Sequence, residues 1–363
     1  MSRQKSARRR PGPAYDFLIV DDFLRDLMQA RCLKTALELG LVDYLLDSGP
    51  RSQAEIQAAL RLDARGLEFL LEQLSAYQVM DKVEGKFRLH ARFLKALEFR
   101  DLLEAKLDFA GFVAADLLEL HPALIADPHG FMRRSRLFNL FDYGRCFDGS
   151  HENYERTRTW MRFTSALTRY EARACLEQHD FAPYHRMLDV GGNSGEFALQ
   201  ACRRHAGLAA TVMDLPLVCE IAQEHVLPHP ERDRITFLAA DGRTDPLPAG
   251  YDLVVFKSML HDWPEEEAQR FVRAAAEALE PGGTLLIFER SRIDAVRAAA
   301  SFATLPVLMF FRAYRDPGFY RQALADCGLQ HIVEQEVLLE LPFFIMTATK
   351  PPTARSAGPD QRA

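Results

Sequence analysis

The chain has 363 residues, 48% of them hydrophobic and 26% charged, with a net charge of −6. That length suits two domains of ordinary globular composition. The acidic balance argues against nucleic acid or an anionic membrane as the main partner.

The six cysteines, Cys32, Cys146, Cys175, Cys202, Cys219 and Cys327, are scattered with no metal-ligand spacing, as expected of reduced thiols in a cytosolic protein. No apolar run reaches the roughly 18 residues of a membrane span. No apolar signal segment opens the chain, so a cytoplasmic location is expected. Residues 1–14, with Arg8, Arg9, Arg10 and two prolines, read as a solvated basic arm. Residues 351–363 read as a disordered tail.

From Phe23 to Leu46 apolar residues recur at helical spacing and predict one amphipathic helix. Ser52 is placed to cap a short helix over 53–60, and Asp63 a second over 64–77. Strands over 79–83 and 87–90 flank Glu84-Gly85-Lys86, a β-hairpin. Two short helices and a hairpin make a winged helix, placed within a helical N-terminal domain over 15–110. The motif raises DNA binding, in which the second helix would enter the major groove. Asp63, Glu68 and Glu72 against Arg65 would be repelled by phosphates, so dimerisation or packing is the expected role. A helical linker with substrate-pocket helices is expected over 111–178. It is broken at Asp148-Gly149-Ser150 and closes in a helix over 154–178.

From Met187 the rhythm becomes alternating β and α, which predicts a parallel sheet with helices on both faces. Strands are expected over 187–190, 210–213, 235–239, 253–256 and 284–288. Helices are expected over 195–205, 216–226 and 264–279, the last stopped by Pro281-Gly282-Gly283. A helix over 318–325 and strands over 331–338 and 343–349 close the catalytic domain, 179–350.

Met187-Leu188-Asp189-Val190-Gly191-Gly192-Asn193-Ser194-Gly195-Glu196 is a strand, a glycine turn and a helix start. Val190 stands where a dinucleotide fingerprint needs its first glycine, and no P-loop is present. A carboxylate before the turn, Asp189, would repel pyrophosphate and attract an ammonium group. The next three strands end near Asp214, Asp241-Gly242 and Lys257. These are carboxyl ends of parallel strands, where ligands bind in such sheets. Asp214 suits ribose hydroxyls and Asp241 an adenine amine, so S-adenosylmethionine is the expected ligand.

Asp-Val-Gly-Gly-Asn-Ser-Gly (189–195), Asp-Leu-Pro (214–216), Asp-Gly (241–242), Lys-Ser-Met-Leu-His-Asp-Trp-Pro (257–264) and Pro-Gly-Gly-Thr-Leu-Leu-Ile-Phe-Glu (281–289) resemble the ordered motifs of the metal-independent O-methyltransferases of plant caffeate and bacterial natural-product type. The resemblance covers nearly the whole chain. It implies a class I methyltransferase (Rossmann-like) α/β fold with a seven-stranded sheet, an N-terminal winged-helix domain and a homodimer formed through it. It implies cofactor contacts from Gly191, Asp214, Asp241, Gly242 and Lys257, with S-adenosylhomocysteine as product. It makes His261 the general base and Glu289 its acidic partner. The family's second glutamate falls at Tyr314, with Asp316 nearby but out of register. No metal site is expected.

A phenol is mostly protonated at neutral pH, so a neutral histidine aids transfer by taking its proton. The acceptor is expected to be small and hydrophobic or aromatic, against Trp160, Met161, Met309 and Phe310, with Phe163 and Phe311 as further candidates. The alternatives are a C- or N-methyltransferase on the same scaffold, a non-methylating cofactor-dependent member, and a ligand-sensing winged-helix regulator.

Overall fold

A computed structural model describes residues 13–293 and 301–352. The expected arm over 1–12 and tail from 353 lie outside the described residues. The sequence carries the arm through Ala14, but a 3-10 helix, Pro13–Phe23, begins there and Ala14 is buried. Among the described residues, those up to 142 together with 301–310 form one compact unit, and 143–293 with 311–352 form the other. The stretch 111–178, expected as one linker, is therefore divided between them.

The first unit is largely helical. The single helix expected over 23–46 is two, α1 (Leu27–Glu38) and α2 (Leu41–Ser48). Gly40 adopts a left-handed φ of 70° between them, a conformation that costs glycine little. The winged-helix reading agrees closely with the structure. Ser52 and Glu55 form a reciprocal capping box on α3 (Gln53–Leu60), and the Asp63 carboxylate accepts from Gly66 N at the start of α4 (Ala64–Ala76). A two-residue strand, β1 (Arg51–Ser52), joins the hairpin of β2 (Met80–Val83) and β3 (Lys86–Leu89) in a three-stranded sheet. The unit is thus not wholly helical.

Next come α5 (Ala91–Leu97), α6 (Arg100–Ala126), α7 (Pro128–Arg134) and α8 (Arg136–Leu140). By length and composition α6 could cross a membrane, contrary to the expectation that no run would. Its acidic Asp116 is nevertheless buried, accepting from Ser135 Oγ at 2.6 Å and Leu137 N at 3.1 Å.

The second unit opens with α9 (His151–Gln178), capped by Ser150. It continues through β4 (Arg186–Val190), α10 (Glu196–Arg204), β5 (Ala209–Asp214), α11 (Pro216–Val226), β6 (Ile235–Ala239), β7 (Tyr251–Lys257), α12 (Glu265–Ala278) and β8 (Leu279–Arg290). The short helix α13 (Leu305–Leu308) belongs to the first unit. The second then closes with α14 (Pro317–Asp326), β9 (Gln330–Leu338) and β10 (Pro342–Thr349).

The sheet order is β6-β5-β4-β7-β8-β10-β9, with β4 to β8 parallel and β10 antiparallel to both neighbours. Pro281-Gly282-Gly283 does not stop α12; it lies inside β8. The pairing with β7 slips between Tyr251 and Leu253, which absorbs the extra residues as a bulge. Leu188, Val254, Phe256, Leu285 and Ile287 are fully buried in the core behind these strands. Each such side chain contributes roughly 1.5–3 kcal/mol. That rigid layer fixes where the strand ends, and the loops beyond them, stand.

Candidate active site

The turn after β4 is built for close approach to backbone. Gly191 has φ +68°, and a Cβ there would lie 2.5 Å from Met259 Cγ. A Cβ on Gly192 would lie 2.7 Å from the Asp189 carboxyl carbon. Asn193, in place of a middle glycine, takes a left-handed φ of 53°, which asparagine tolerates better than most residues. Its side-chain oxygen accepts from Ser194 N at 2.8 Å and from the Thr164 hydroxyl at 3.2 Å, so α9 is tied to the turn.

Asp214, the last residue of β5, braces the same turn. Its Oδ2 accepts from Asn193 N and its Oδ1 from Leu215 N, both at 2.8 Å. Burial lifts its pKa to about 6, against the pull of those two N–H groups. Asp189 is fully buried, and neither carboxylate oxygen has a hydrogen-bond partner among the described residues. Burial, then the nearby Asp214 charge, raise its pKa to about 7, while Lys257 opposes them. A buried, unpartnered carboxylate is costly and is what a cationic ligand would complete. This edge fits a donor carrying ammonium and sulfonium charges.

Asp241 lies just beyond β6, but its carboxylate is gripped by Arg243, from Nη2 at 2.7 Å and Nε at 2.9 Å. The Arg243 guanidinium in turn lies 5.1 Å over the Trp263 ring. Hydrogen bonds to Arg243 hold the Asp241 carboxyl below its usual range. Gly242 packs on Phe271, where a Cβ would come within 2.8 Å. Lys257, expected at the cofactor, has its ammonium donating to Glu171 and, at 2.9 Å, to Thr168, both on α9. Arg290 pairs with the same Glu171 and with Glu340 at 3.1 Å.

His261 sits in a 3-10 turn, Leu260–Asp262, after β7. Its Nδ1 is 2.7 Å from Glu289 Oε2. Glu289, near the end of β8, is fully buried, and its other oxygen accepts from Met259 N and Leu260 N, each at 2.8 Å. Burial alone would lift the Glu289 carboxyl; His261 and the two N–H groups hold it low. Burial also disfavours the imidazolium, but Glu289 and Asp262 outweigh it, and the His261 pKa is raised.

The other candidates divide. Trp160 and Met161, buried on α9, belong to this unit, with the Trp160 ring 5.5 Å from that of Tyr143. Met309 and Phe310 belong to the first unit, where Phe310 packs at 5.1 Å on both Phe138 and Phe141. Asp316 caps α14 instead of serving the base.

Sequence reasoning missed Tyr143, whose hydroxyl donates to Asp262 Oδ2 at 2.7 Å. It also missed Arg315, which donates to the Leu260 and Trp263 carbonyls and pins the turn. Neither carries a local sequence signal. Asp262 was visible beside His261 but was assigned no role. Among the described residues no cluster of three or more His, Cys, Asp or Glu could hold a metal ion.

The seven-stranded order with an antiparallel β10, and a glycine turn after its central β4, define a class I methyltransferase fold. The chain belongs to the O-methyltransferase family: residues 126–326 match its O-methyltransferase domain, and residues 22–96 its O-methyltransferase dimerisation domain. It is 28% identical over 272 residues to a 3-hydroxy-5-methyl-1-naphthoate 3-O-methyltransferase of Streptomyces sahachiroi, covering 75% of this chain and 76% of that one. It is 26% identical to the N,N-dimethyltransferase OxyT of Streptomyces rimosus, over 72% of this chain and 74% of the other. It is 24% identical to an L-tyrosine C(3)-methyltransferase of Streptomyces lavendulae, over 76% of each. Among solved structures, the S-adenosylmethionine-dependent methyltransferase SibL superposes with a TM-score of 0.62 at 25% identity, over 89% of this chain and 96% of that one. The chain is thus a methyltransferase of the secondary-metabolite type, and its relatives methylate oxygen, nitrogen and carbon.

Proposed function

We propose that this chain methylates a hydroxyl of a small aromatic or hydrophobic acceptor, with S-adenosylmethionine as donor and His261 as general base. When bound, the donor supplies an electrophilic methyl on a sulfonium. Gly191, Asp214, Asp241 and Gly242 would hold it, with the unpartnered Asp189 facing its positive charge. Lys257 acts indirectly, by tying α9 to the end of β7.

The observation that carries the proposal is the His261–Glu289 contact. Glu289 is an anchored acceptor, so it fixes the proton on Nδ1 and leaves Nε2 as the base. Trp160 and Met161 supply apolar surface for the acceptor. The dimerisation domain, with Leu27, Met28 and Phe69 about half exposed, supports a homodimer. We place the protein in the cytoplasm, acting on a small molecule and not on nucleic acid or a membrane. Glu68 and Glu72 are exposed on α4, which argues against a DNA-binding regulator.

Incubation with S-adenosylmethionine and a panel of hydroxyarenes, arylamines and activated ring carbons, read by mass spectrometry, tests the reading. A methyl ether is expected, and its formation should collapse in His261→Gln. The N- and C-methylating relatives favour a second reading. It would be supported by N- or C-methyl product and a His261→Gln variant that keeps its activity.

A further inference from the structure

Two carboxylates flank the His261 ring, one in a hydrogen bond and the other within ion-pair distance. Glu289 meets Nδ1 at 2.7 Å, and Asp262 Oδ1 lies 3.4 Å from Nε2. The Tyr143 hydroxyl donates to the other Asp262 oxygen at 2.7 Å. Tyr314, at the position where the resemblance calls for a second glutamate, instead sets its ring 5.0 Å from the imidazole. We infer that Asp262, oriented by Tyr143, is the second carboxylate of the base, a positioning residue that stabilises the proton His261 gains at Nε2. This rests on the reading of His261 as general base.

With its proton on Nδ1, the neutral ring carries no positive charge for the Asp262 carboxylate, 3.4 Å from Nε2, to pair with. In the reaction the acceptor's O–H bond breaks and its proton goes to Nε2. The electron pair stays on the oxygen that takes the methyl, while the carbon–sulfur pair leaves with sulfur. The contact then joins an N–H⁺ to a carboxylate. It strengthens only as the reaction proceeds, which is the kind of interaction that accelerates a step.

Burial raises the Asp262 pKa, while the His261 charge and, after it, the Tyr143 hydrogen bond oppose protonation. Tyr143 itself remains protonated, because burial and Asp262 push its own pKa well up. The other titratable and charged groups facing the pair are Glu289 and Arg290 from β8, Tyr314, and Tyr320 from α14. Arg290 works against the imidazolium and the two phenols are neutral. Glu289 and Asp262 are therefore the anions that raise its proton affinity.

The test is a pH titration of the His261 ring by NMR in the full chain saturated with S-adenosylhomocysteine, assigned by the signal lost in His261→Gln. Asp262→Asn should lower the His261 pKa by about one unit, as loss of a nearby opposite charge does. With 2-naphthol as acceptor, kcat should fall about tenfold, with its rising limb moved to lower pH and KM little changed. Tyr143→Phe should shift both in the same direction by less, and stands in if Asp262→Asn does not fold. An unchanged His261 titration in whichever variant folds would overturn the inference. Turnover retained in His261→Gln would instead overturn the reading on which it rests.

Discussion

Replacing Glu289 with glutamine changes one atom and removes one acceptor, and the hydrogen bonds around it decide the consequence. In the native side chain Oε1 accepts from two backbone N–H groups, Met259 and Leu260, while Oε2 accepts from His261 Nδ1. Glutamine has a single oxygen. If it faces the imidazole, the amide NH₂ confronts two buried backbone donors, and leaving them unsatisfied costs about 1–3 kcal/mol each. If it faces the backbone, the NH₂ points at Nδ1 and the proton moves to Nε2, where the base is needed. Two donors outweigh one, so the second arrangement wins. Glu289→Gln should therefore fold with a small change in melting temperature but hold His261 in the unproductive tautomer. The expected loss in kcat is on the order of 10²–10⁴, the usual worth of general-base catalysis. Steady-state kinetics on an acceptor found in the screen, beside thermal melting and donor titration, would measure it. A variant with near-native kcat would refute the tautomer argument. So would one whose loss is accounted for by unfolding.

Gly191→Ala forces a Cβ against Met259 at a left-handed φ, so donor affinity should fall at least tenfold by calorimetry, with some loss of stability. Donor affinity should also depend on pH. Burial raises the Asp189 carboxyl to about 7 and the Asp214 carboxyl to about 6. A cationic donor favours the carboxylates, so binding releases protons and tightens as pH rises from 5 to 8. By the same sign the Asp189 contribution to stability of the empty protein is fully present below about pH 4 and is lost as pH climbs through about 7. Melting temperature against pH, with and without S-adenosylhomocysteine, reads both. Lys257→Met leaves Glu171 a partner short in a buried network and should cost about 3–5 kcal/mol in chemical denaturation. Donor affinity of the folded variant should hold; a selective loss of donor binding at unchanged stability would return Lys257 to direct contact.

Much of the sheet was legible, because strands covered on both faces read as short apolar runs between helical segments. β4 to β7 fall within two residues of expectation. The failures have local physical causes. Gly40 breaks a helical pattern that periodicity alone carries through. Pro281-Gly282-Gly283 reads as a stop but is a bulge inside β8. At the site, His261, Glu289 and Asp214 were reachable from motif and register, since each stands at or just beyond a strand end. Tyr143 and Asp262 meet across 119 residues, and Lys257 and Glu171 across 86. Tertiary folding sets such pairings and no spacing rule announces them. The Arg243 grip on Asp241 is only two residues long, and was missed because the motif drew attention to the carboxylate alone.

The most direct test of the account is isothermal calorimetry of S-adenosylmethionine against the intact chain and Asp214→Ala. The account predicts saturable binding at one site per chain, weakened at least tenfold in the variant while the fold persists. No heat of binding from folded native protein, or equal affinity in both proteins, would contradict it.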